Sequence, residues 1–232
     1  MIHVVIPYGG DDPHRDRALE WVTAEWAKLG YSIAIGIHND GPWCKAKAVA
    51  VALDAAAPAD NDILIIADAD VWPARLQDSL RRVVDGANRW AMAHRLVVRF
   101  NEEATRLIYD GMPFSGFSKN SHDQRPYNGT VGGGCVIIPA IRYRQVPLDP
   151  RFAGWGQEDE SWGMALTTMF GQPYRGGGDL YHLWHPAPAR RDRVVGSNEG
   201  EALRNRYRLA RGREQQTMAL LDEFREAPQQ SE

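Results

Sequence analysis

Two aspartates, Asp68 and Asp70, directly follow an apolar run in the segment 63–70, which reads ILIIADAD. Such a run is typical of a buried strand. Residues i and i+2 of a strand project to the same side, so both carboxylates are expected to face one pocket. Two close carboxylates repel each other unless a cation lies between them, and a divalent metal is the simplest such cation. The alternative is a strand-to-helix loop in which one aspartate caps a helix that begins after Pro73.

A second acidic cluster follows a Gly-Trp-Gly turn in the segment 151–162, which reads RFAGWGQEDESW. Three consecutive acids beginning at Glu158 open a segment, 158–170, whose apolar residues share one face of a predicted helix. The helix dipole favours acids in a first turn, and this is the ordinary explanation for them. The two glycines are unfavourable before a helix, however, and they indicate that the Trp155 side chain has to be presented to something.

Two further groups of residues could belong to the same site. His182 and His185 end a short apolar stretch, and two histidines three residues apart could ligate a metal or only hydrogen-bond a loop. The glycines at 132–134 precede a predicted strand at Cys135 to Ile138. Three glycines let a backbone pass close to a ligand or to another strand, and the alternative is a flexible joint.

The elements that must position these residues alternate between strand and helix over the first 73 residues. The pattern predicts strands at Ile2–Pro7, at Ser32–Ile37 and from Ile63, with helices at His14–Leu29 and Lys45–Ala57. Such alternation is the signature of an α/β fold with a mostly parallel central sheet and helices on both faces. Ligands of these sheets bind beyond the carboxyl ends of the strands, where the polar loops 8–12, 38–40 and 68–70 are expected to converge.

The rest of the chain has less regular patterns. The sequence predicts a helix at Arg75–Val84, one strand at Trp90–Phe100 and a short helix at Asn101–Tyr109. The segment 111–130 is rich in Gly, Ser, Asn and Pro and predicts a long loop of the kind that forms lids and binding surfaces. From Ala187 the composition becomes strongly charged, and loosely helical spacing predicts one or two helices within Asn198–Glu226.

The composition and the motifs argue against several classes of protein. The 232 residues carry a formal net charge of -3, so no general attraction to nucleic acid is expected. The two cysteines, Cys44 and Cys135, form no CxxC pair and indicate neither a zinc cluster nor a disulfide framework. Without a leader or an apolar run of about 20 residues, the protein is expected to be soluble and cytoplasmic with no membrane span. The GxGxxG and GxxxxGK[ST] patterns of dinucleotide-binding folds and P-loop ATPases are also absent.

Taken in order, the motifs resemble those of GT-A fold glycosyltransferases, and within them glycosyltransferase family 2 and the β-1,4-galactosyltransferase-like and chondroitin-polymerase-like enzymes. The resemblance rests on VVIP at 4–7, RDR at 15–17, DAD at 68–70, GGG at 132–134, FAGWGQED at 152–159 and finally His182. It implies a GT-A (nucleotide-diphospho-sugar transferase) fold for a catalytic domain at 1–186, with a nucleotide-sugar-binding half at 1–73 and an acceptor half at 74–186. The segment 187–232 has no counterpart and is expected to form a C-terminal helical extension.

The resemblance also implies a metal site. Asp70 is the expected direct ligand and His182 the second protein ligand, with His185 as the second choice of histidine. Asp68 is expected to contact the ribose or a metal-bound water, and it is counted with Asp70 and His182 among the residues of the metal site. Oxygen ligands together with an imidazole suit Mn²⁺, with Mg²⁺ as the other candidate.

Roles for the remaining site residues follow from the same resemblance. Asp159 is the expected general base, which takes the proton of the acceptor hydroxyl, and Glu158 is expected to hydrogen-bond acceptor hydroxyls. The donor side is expected to include Pro7, Tyr8, Arg15, Asp40, Lys45 and Asp68, and the acceptor side Trp155, Gly133 and Gly134.

The resemblance implies an inverting, metal-dependent glycosyltransferase, which moves a sugar from a nucleotide-sugar donor to a hydroxyl group. A UDP-sugar is the expected donor. The acceptor would be a glycan, a protein or a small molecule. One alternative is a non-catalytic nucleotide-sugar or carbohydrate-binding module on the same scaffold, against which the retained acid at Asp159 argues. Another is a metal-dependent phosphohydrolase that uses Asp68 and Asp70, although the DxDxT pattern of haloacid-dehalogenase-like enzymes is not present.

Overall fold

Three parallel strands form one half of the larger of two sheets in a computed structural model, which describes residues 1–10, 12–186 and 198–226. They are β1 (Ile2–Tyr8), β2 (Ser32–Ile37) and β3 (Ile63–Ala67), and β1 lies between the other two. Helices α1 (Pro13–Ala27) and α2 (Lys45–Ala56) are the crossovers that parallel strands require. The predicted alternation of strand and helix is therefore confirmed for this half of the chain.

The larger sheet continues from β3 with a strand that runs in the opposite direction. This strand, β8 (Cys135–Pro139), pairs antiparallel with β3 and with β5 (Ala91–Met92), and β5 pairs parallel with β9 (Tyr174–Arg175). The strand order is β2-β1-β3-β8-β5-β9. Because only β8 opposes the other strands of this sheet, the prediction of a mostly parallel sheet is confirmed.

Four short strands form the second sheet. They are β4 (Val71–Pro73), β6 (Leu96–Arg99), β7 (Tyr127–Asn128) and β10 (Asp179–His182), in the order β4-β10-β6-β7. The prediction of one strand at Trp90–Phe100 is therefore wrong, because this segment supplies β5 to the larger sheet and β6 to the second. The polar pair His94 and Arg95 lies where the chain changes sheet, and it is the sequence signal for the break.

Helices cover both faces of the larger sheet. In addition to α1 and α2 they are α3 (Leu76–Val84), α4 (Glu102–Tyr109), α5 (Ala140–Gln145), α6 (Glu158–Phe170), α7 (Asn198–Ala210) and α8 (Glu214–Arg225). Val4 and Ile6 of β1 belong to one buried hydrophobic cluster and Val5 to another, as expected for a strand with helices on both sides. Within the described ranges, no helix combines the length and the apolar character needed to cross a bilayer.

Two helices predicted from the C-terminal segment pack on the body of the protein. Leu203 and Tyr207 of α7, with Leu220 and Leu221 of α8, join the hydrophobic cluster that also contains α6 residues. The prediction of helices between residues 198 and 226 is confirmed, and residues 187–197 lie outside the described part of the chain.

A buried carboxylate ties these helices to the loop that leads into the Gly-Trp-Gly turn. Asp149 is 5% exposed and accepts hydrogen bonds from Arg151 Nη2 at 2.6 Å and from the Tyr207 hydroxyl at 2.8 Å. Arg151 also donates to the Leu220 carbonyl at 2.8 Å. A buried charge is stable only with such partners, so the loop and the C-terminal helices hold each other in place.

Candidate active site

The segments that carry the predicted site residues meet at the carboxyl end of β3. The backbone N–H of Asp68 donates to the Gly134 carbonyl at 2.9 Å, which joins this end to the glycine segment before β8. The backbone N–H of Leu183 donates to the Asp70 carbonyl at 2.8 Å, which joins it to the segment after β10. Backbone bonds thus bring together residues more than 60 positions apart in the sequence, at the sheet edge where ligands of such folds bind.

Asp70, His182 and His185 form a group that could hold a metal ion, since one ligand atom of each lies within 4.8 Å of the others. His182 Nε2 is 3.7 Å from Asp70 Oδ1, and His185 Nε2 is 3.2 Å from Asp70 Oδ2. The Nδ1 atoms face the carbonyls of Leu183 at 2.7 Å and Pro186 at 2.9 Å. Carbonyls only accept, so each Nδ1 carries a proton and each Nε2 is directed to the carboxylate, as in histidines that ligate metals. Both histidines, rather than one, therefore fit the site.

The charges around Asp70 keep its carboxyl ionised. Burial alone would raise the pKa of Asp70, but His182, His185 and Arg15 together hold it well below its ordinary value. Burial lowers the pKa of His182. Burial would lower the pKa of His185, but its hydrogen bond to Asp70, the charge of Asp70 and its hydrogen bond to the Pro186 carbonyl together raise it. A metal ion at this position would replace the Nε2 proton of His185 and take over the neutralisation of Asp70.

Asp68 lies outside the group formed by Asp70 and the two histidines. Its Oδ1 accepts from Lys45 Nζ at 2.6 Å, and the same ammonium donates to Asp159 Oδ1 at 2.8 Å. Lys45 therefore bridges the first aspartate of the DAD motif and the predicted base. Both aspartates line one cavity, as predicted, but they have different partners. Strand β3 ends at Ala67, so the alternation of a strand does not determine which partners the two side chains contact.

The buried ammonium of Lys45 interacts with several carboxylates at this bridge. Lys45 is 6% exposed, and although burial opposes its charge, Asp159 and Asp68 raise its pKa above the ordinary value. Burial also raises the pKa of Asp159, against the effect of Lys45. Burial and the Asp159 charge raise the pKa of Glu158, whose Oε2 has no hydrogen-bond partner among the described residues. The predicted base is thus more basic than an exposed aspartate.

The group formed by Asp70, His182 and His185 and the Lys45 bridge line one cavity of about 680 Å³, which we call the main cavity. Its lining also includes Pro7, Arg15, Trp155 and Glu158 of the predicted site residues. A second cavity of about 520 Å³, the side cavity, shares Arg15, Trp43, Trp155 and His185 with it and extends along the loops after β1 and β2. The two cavities together provide room for an elongated ligand that passes the Asp70 group.

The Gly-Trp-Gly turn explains how the tryptophan reaches both cavities. Gly154 and Gly156 have φ angles of 95° and 98°, and Gln157 also has a positive φ, 76°. Glycine adopts this conformation without strain, whereas a residue with a Cβ such as Gln157 costs roughly 1–2 kcal/mol there. The turn reverses the chain immediately before α6, so Trp155 projects into the cavities while Asp159 enters the first turn of the helix.

Trp155 is held by an aromatic ring and a cation. Its ring stacks on that of Trp43 with centroids 5.5 Å apart and an interplanar angle of 25°. The Arg15 guanidinium lies 4.7 Å from the Trp155 ring centroid. Arg15 also donates to the Gly9 carbonyl at 2.8 Å, and its Nε is 4.0 Å from Asp70 Oδ2. Arg15 therefore links the Asp70 group to the tryptophan pair.

Other predicted residues have different positions. Tyr8 is buried and donates its hydroxyl hydrogen bond to Asp16, and it lines neither cavity. Asp40 is exposed and is absent from both linings, although the residues on either side of it line the side cavity. Gly133 packs on the predicted base, since a Cβ built there would lie 2.7 Å from Asp159 Oδ2. The roles proposed for these residues remain predictions.

Several residues of the main cavity were not predicted individually. They are Trp43, Arg99, Asp123, Gln124, Tyr127 and Trp184. Three of them belong to the segment 111–130, which the sequence predicts as a loop of the kind that forms binding surfaces. The positions of Arg99 and Tyr127 depend on the pairing of β6 with β10 and β7, which joins segments distant in sequence and leaves no local pattern.

The glycine segment before β8 passes against the first turns of α6. A Cβ built on Gly132 would lie 2.3 Å from the Asp159 carbonyl oxygen. A Cβ built on Gly163 would lie 2.0 Å from the Val131 carbonyl oxygen. The structure supports a close approach of the backbone, but the neighbour is helix α6 and not the ligand or strand that the sequence led us to expect. The helix that carries Asp159 can sit on this segment only without Cβ atoms there.

We expect Gly163→Ala to destabilise the protein by about 2 kcal/mol, the usual range for overpacking a well-filled site. In an open helix the same change would stabilise by about 1 kcal/mol, but the Val131 carbonyl is backbone and cannot rotate away. Urea unfolding measures the difference. Gly177→Ala is the matched control, since a Cβ at Gly177 meets nothing within 4 Å. Equal unfolding midpoints for the Gly163 variant and the native chain would contradict this packing.

Comparison with known proteins places the fold. No protein-family model matches the sequence, and no curated protein matches it. The catalytic domain of Drosophila β1,4-galactosyltransferase 7 in complex with xylobiose superposes with a TM-score of 0.50 and 16% identity, over 86% of this chain and 77% of that one. A mutant of the same enzyme in complex with manganese, UDP-Gal and xylobiose gives 0.51 and 17%, over 87% and 78%. At this identity the likeness concerns the fold.

Proposed function

We propose that this chain, which has the GT-A fold, is a metal-dependent glycosyltransferase that moves a sugar from a nucleotide-sugar donor to a hydroxyl group. One observation carries the proposal: a three-residue metal-ligating group and a buried carboxylate, Asp159, line the same cavity. A metal beside a diphosphate and a base beside an acceptor are the two devices that transfer to a hydroxyl requires.

The metal proposed for the site is Mn²⁺, held by Asp70, His182 and His185. One carboxylate and two imidazoles suit Mn²⁺ better than Mg²⁺, which prefers oxygen ligands. The similar galactosyltransferase structure with manganese and UDP-Gal supports this choice and a UDP-sugar as donor. When bound, such an ion stabilises the charge that develops on the departing diphosphate.

The nucleotide is proposed to occupy the side cavity. That cavity follows the loops after β1 and β2 and includes Gly9 and Asn39 of the segment 1–73, the half assigned to nucleotide-sugar binding. Arg15 lines both cavities, and its cation beside Asp70 would face the diphosphate. The sugar and the acceptor are then expected in the main cavity, beside residues of the half at 74–186.

The transfer proposed is a single displacement with inversion. The acceptor oxygen forms a bond to C1 of the sugar as the bond from C1 to the diphosphate oxygen breaks, and the electron pair leaves with the diphosphate. Asp159 takes the proton of the acceptor hydroxyl. Burial, which raises the pKa of Asp159, favours this role, and Lys45 fixes the orientation of the carboxylate through its hydrogen bond.

A thermal-shift panel tests the central claim. UDP, GDP, CDP and their sugars are each added with and without Mn²⁺. We expect UDP with Mn²⁺ at about 100 times its dissociation constant to stabilise the protein by about 2.7 kcal/mol, which corresponds to roughly 5–10 °C for a chain of this size. UDP without Mn²⁺ should give a much smaller shift. The proposal fails if no nucleotide stabilises the protein in any combination.

Two other functions make different predictions in simple assays. A binding module without catalysis would bind a nucleotide sugar but never release UDP in the presence of an acceptor and Mn²⁺. A phosphohydrolase would cleave simple phosphate esters without an acceptor. Release of UDP that requires both Mn²⁺ and an acceptor distinguishes the proposed transferase from both.

A further inference from the structure

Arg99 stands beside the metal-ligating group on the neighbouring strand. Strand β6 pairs parallel with β10, and Arg99 lies opposite His182 in the register. Residues opposite each other on paired strands project to the same side of the sheet. Both residues line the main cavity, so the guanidinium faces the same space as the proposed ion.

The positive charge of Arg99 has no carboxylate partner among the residues that the structure describes. The other two cations that line the main cavity do have carboxylate partners. Lys45 pairs with Asp68 and Asp159, and Arg15 Nε is 4.0 Å from Asp70 Oδ2. The side-chain hydrogen bond found for Arg99 runs from its Nε to the hydroxyl of Tyr127, at 3.0 Å. A tyrosine hydroxyl is uncharged, and its proton remains free to be donated to a ligand.

Neither terminal nitrogen of the Arg99 guanidinium has a hydrogen-bond partner in residues 1–10, 12–186 and 198–226, so both are available to a ligand. A guanidinium presents its donors as a planar fork that matches two oxygens of a carboxylate or phosphate. Arg99 and Tyr127 line the main cavity but not the side cavity that we assign to the nucleotide. Asp159 also lines the main cavity and not the side cavity. Arg99 therefore lies at the end of the site where the sugar and the acceptor are expected.

We propose that Arg99 and Tyr127 bind an acidic group, a carboxylate or a phosphate, on the molecule that occupies the sugar and acceptor end of the main cavity. The inference rests on the proposed glycosyltransferase function and specifies its substrate class. The acidic group can belong to the acceptor or to the transferred sugar, which would then be a uronosyl unit. Both sources present the same chemistry to Arg99.

Matched pairs of probes test the proposal on protein saturated with Mn²⁺. The acceptor arm compares glucuronate with glucose, and glucose 6-phosphate with glucose, in the presence of UDP by ligand-observed NMR. The donor arm compares UDP-glucuronate with UDP-glucose by calorimetry. We expect the acidic member of at least one pair to bind about tenfold more tightly, the effect of one charge-assisted hydrogen-bonded pair. The arm that shows the preference identifies the source.

Three variants connect any preference to the residues named. Arg99→Gln should remove it, Arg99→Lys should keep part of it, and Tyr127→Phe should reduce it by a smaller factor. Arg95→Gln is the matched control, because Arg95 is exposed and lines neither cavity, and it should keep the full preference. The affinity for UDP with Mn²⁺ should be the same in all four variants.

The outcomes separate this inference from the proposed function. If no acidic probe is preferred in either arm, or if Arg99→Gln leaves the preference intact, the inference is overturned. It is also overturned if Arg99→Gln weakens UDP itself, because Arg99 would then serve the diphosphate. If UDP with Mn²⁺ does not bind the native chain, the proposed function fails first, and the glucuronate and phosphate pairs measured on the free protein still decide whether Arg99 binds acids.

Discussion

In the Asp70→Asn variant, we expect Mn²⁺ to lose its effect on UDP binding and sugar transfer to fall by about a thousandfold or more. The change removes the negative charge of the carboxylate, whose Oδ1 faces His182 and whose Oδ2 faces His185, while it keeps the shape of the side chain. A metal contributes several kcal/mol to stabilisation of a developing charge, and about 4 kcal/mol corresponds to a thousandfold in rate. Calorimetry of UDP binding with and without Mn²⁺ measures the first effect, and UDP release measures the second.

Controls show whether the loss is specific to the ligand group. Asp85→Asn changes an exposed acid that lines neither cavity, and it should leave both measurements unchanged. His182→Ala and His185→Ala should each weaken the Mn²⁺ effect if both imidazoles ligate the ion. A variant without His185 that retained the full effect would restrict the ligand set to Asp70 and His182. Full Mn²⁺ dependence in Asp70→Asn would disprove the metal assignment.

The Asp159→Asn variant should lose transfer by about 10³-fold while its affinity for UDP with Mn²⁺ stays close to that of the native protein. Asparagine cannot accept the proton, but Lys45 keeps Asp68 as an ionic partner, so the donor side is expected to remain intact. Initial rates of UDP release and calorimetry on the same preparation separate the two effects. Glu158→Gln is the neighbouring control and should reduce the rate much less.

The pH dependence of transfer provides an independent measurement for the same residue. A general base acts only when deprotonated, so kcat/KM should fall as the pH drops through the pKa of the free enzyme's base. Burial raises the pKa of Asp159, and the fall is expected above the ordinary range of an aspartate. The residual activity of Asp159→Asn should lack this acid limb. If its turnover is undiminished, the proton goes elsewhere.

The fold of residues 1–73 could be predicted because its signals are local. Apolar runs, turn residues and helical spacing determine β1 to β3 with α1 and α2, and the rule for parallel sheets gives the edge where Asp68 and Asp70 lie. The difference between the partners of the two aspartates was not predictable from their spacing. It depends on the last residue of β3 and on Lys45, whose side chain reaches both Asp68 and Asp159.

The part of the site that contains His182, Arg99 and Tyr127 was less predictable, because pairing between strands distant in the sequence determines it. His182 and Arg99 become neighbours only because β10 pairs with β6, and Tyr127 joins them because β7 pairs with β6. The segment 90–100 reads as one apolar stretch, but it contains two strands, β5 and β6, that belong to different sheets. Its polar pair, His94 and Arg95, is a weak signal that a buried strand can also contain.

The stacked rings of Trp43 and Trp155 give this protein an optical probe of its own. Two indoles 5.5 Å apart and nearly parallel couple their electronic transitions, which produces paired circular-dichroism bands of opposite sign. Both rings line the main and the side cavity, so a molecule that occupies either one changes the geometry or the surroundings of the pair. Ligand occupancy can therefore be followed in the unlabelled protein, in real time and without an assay for the products.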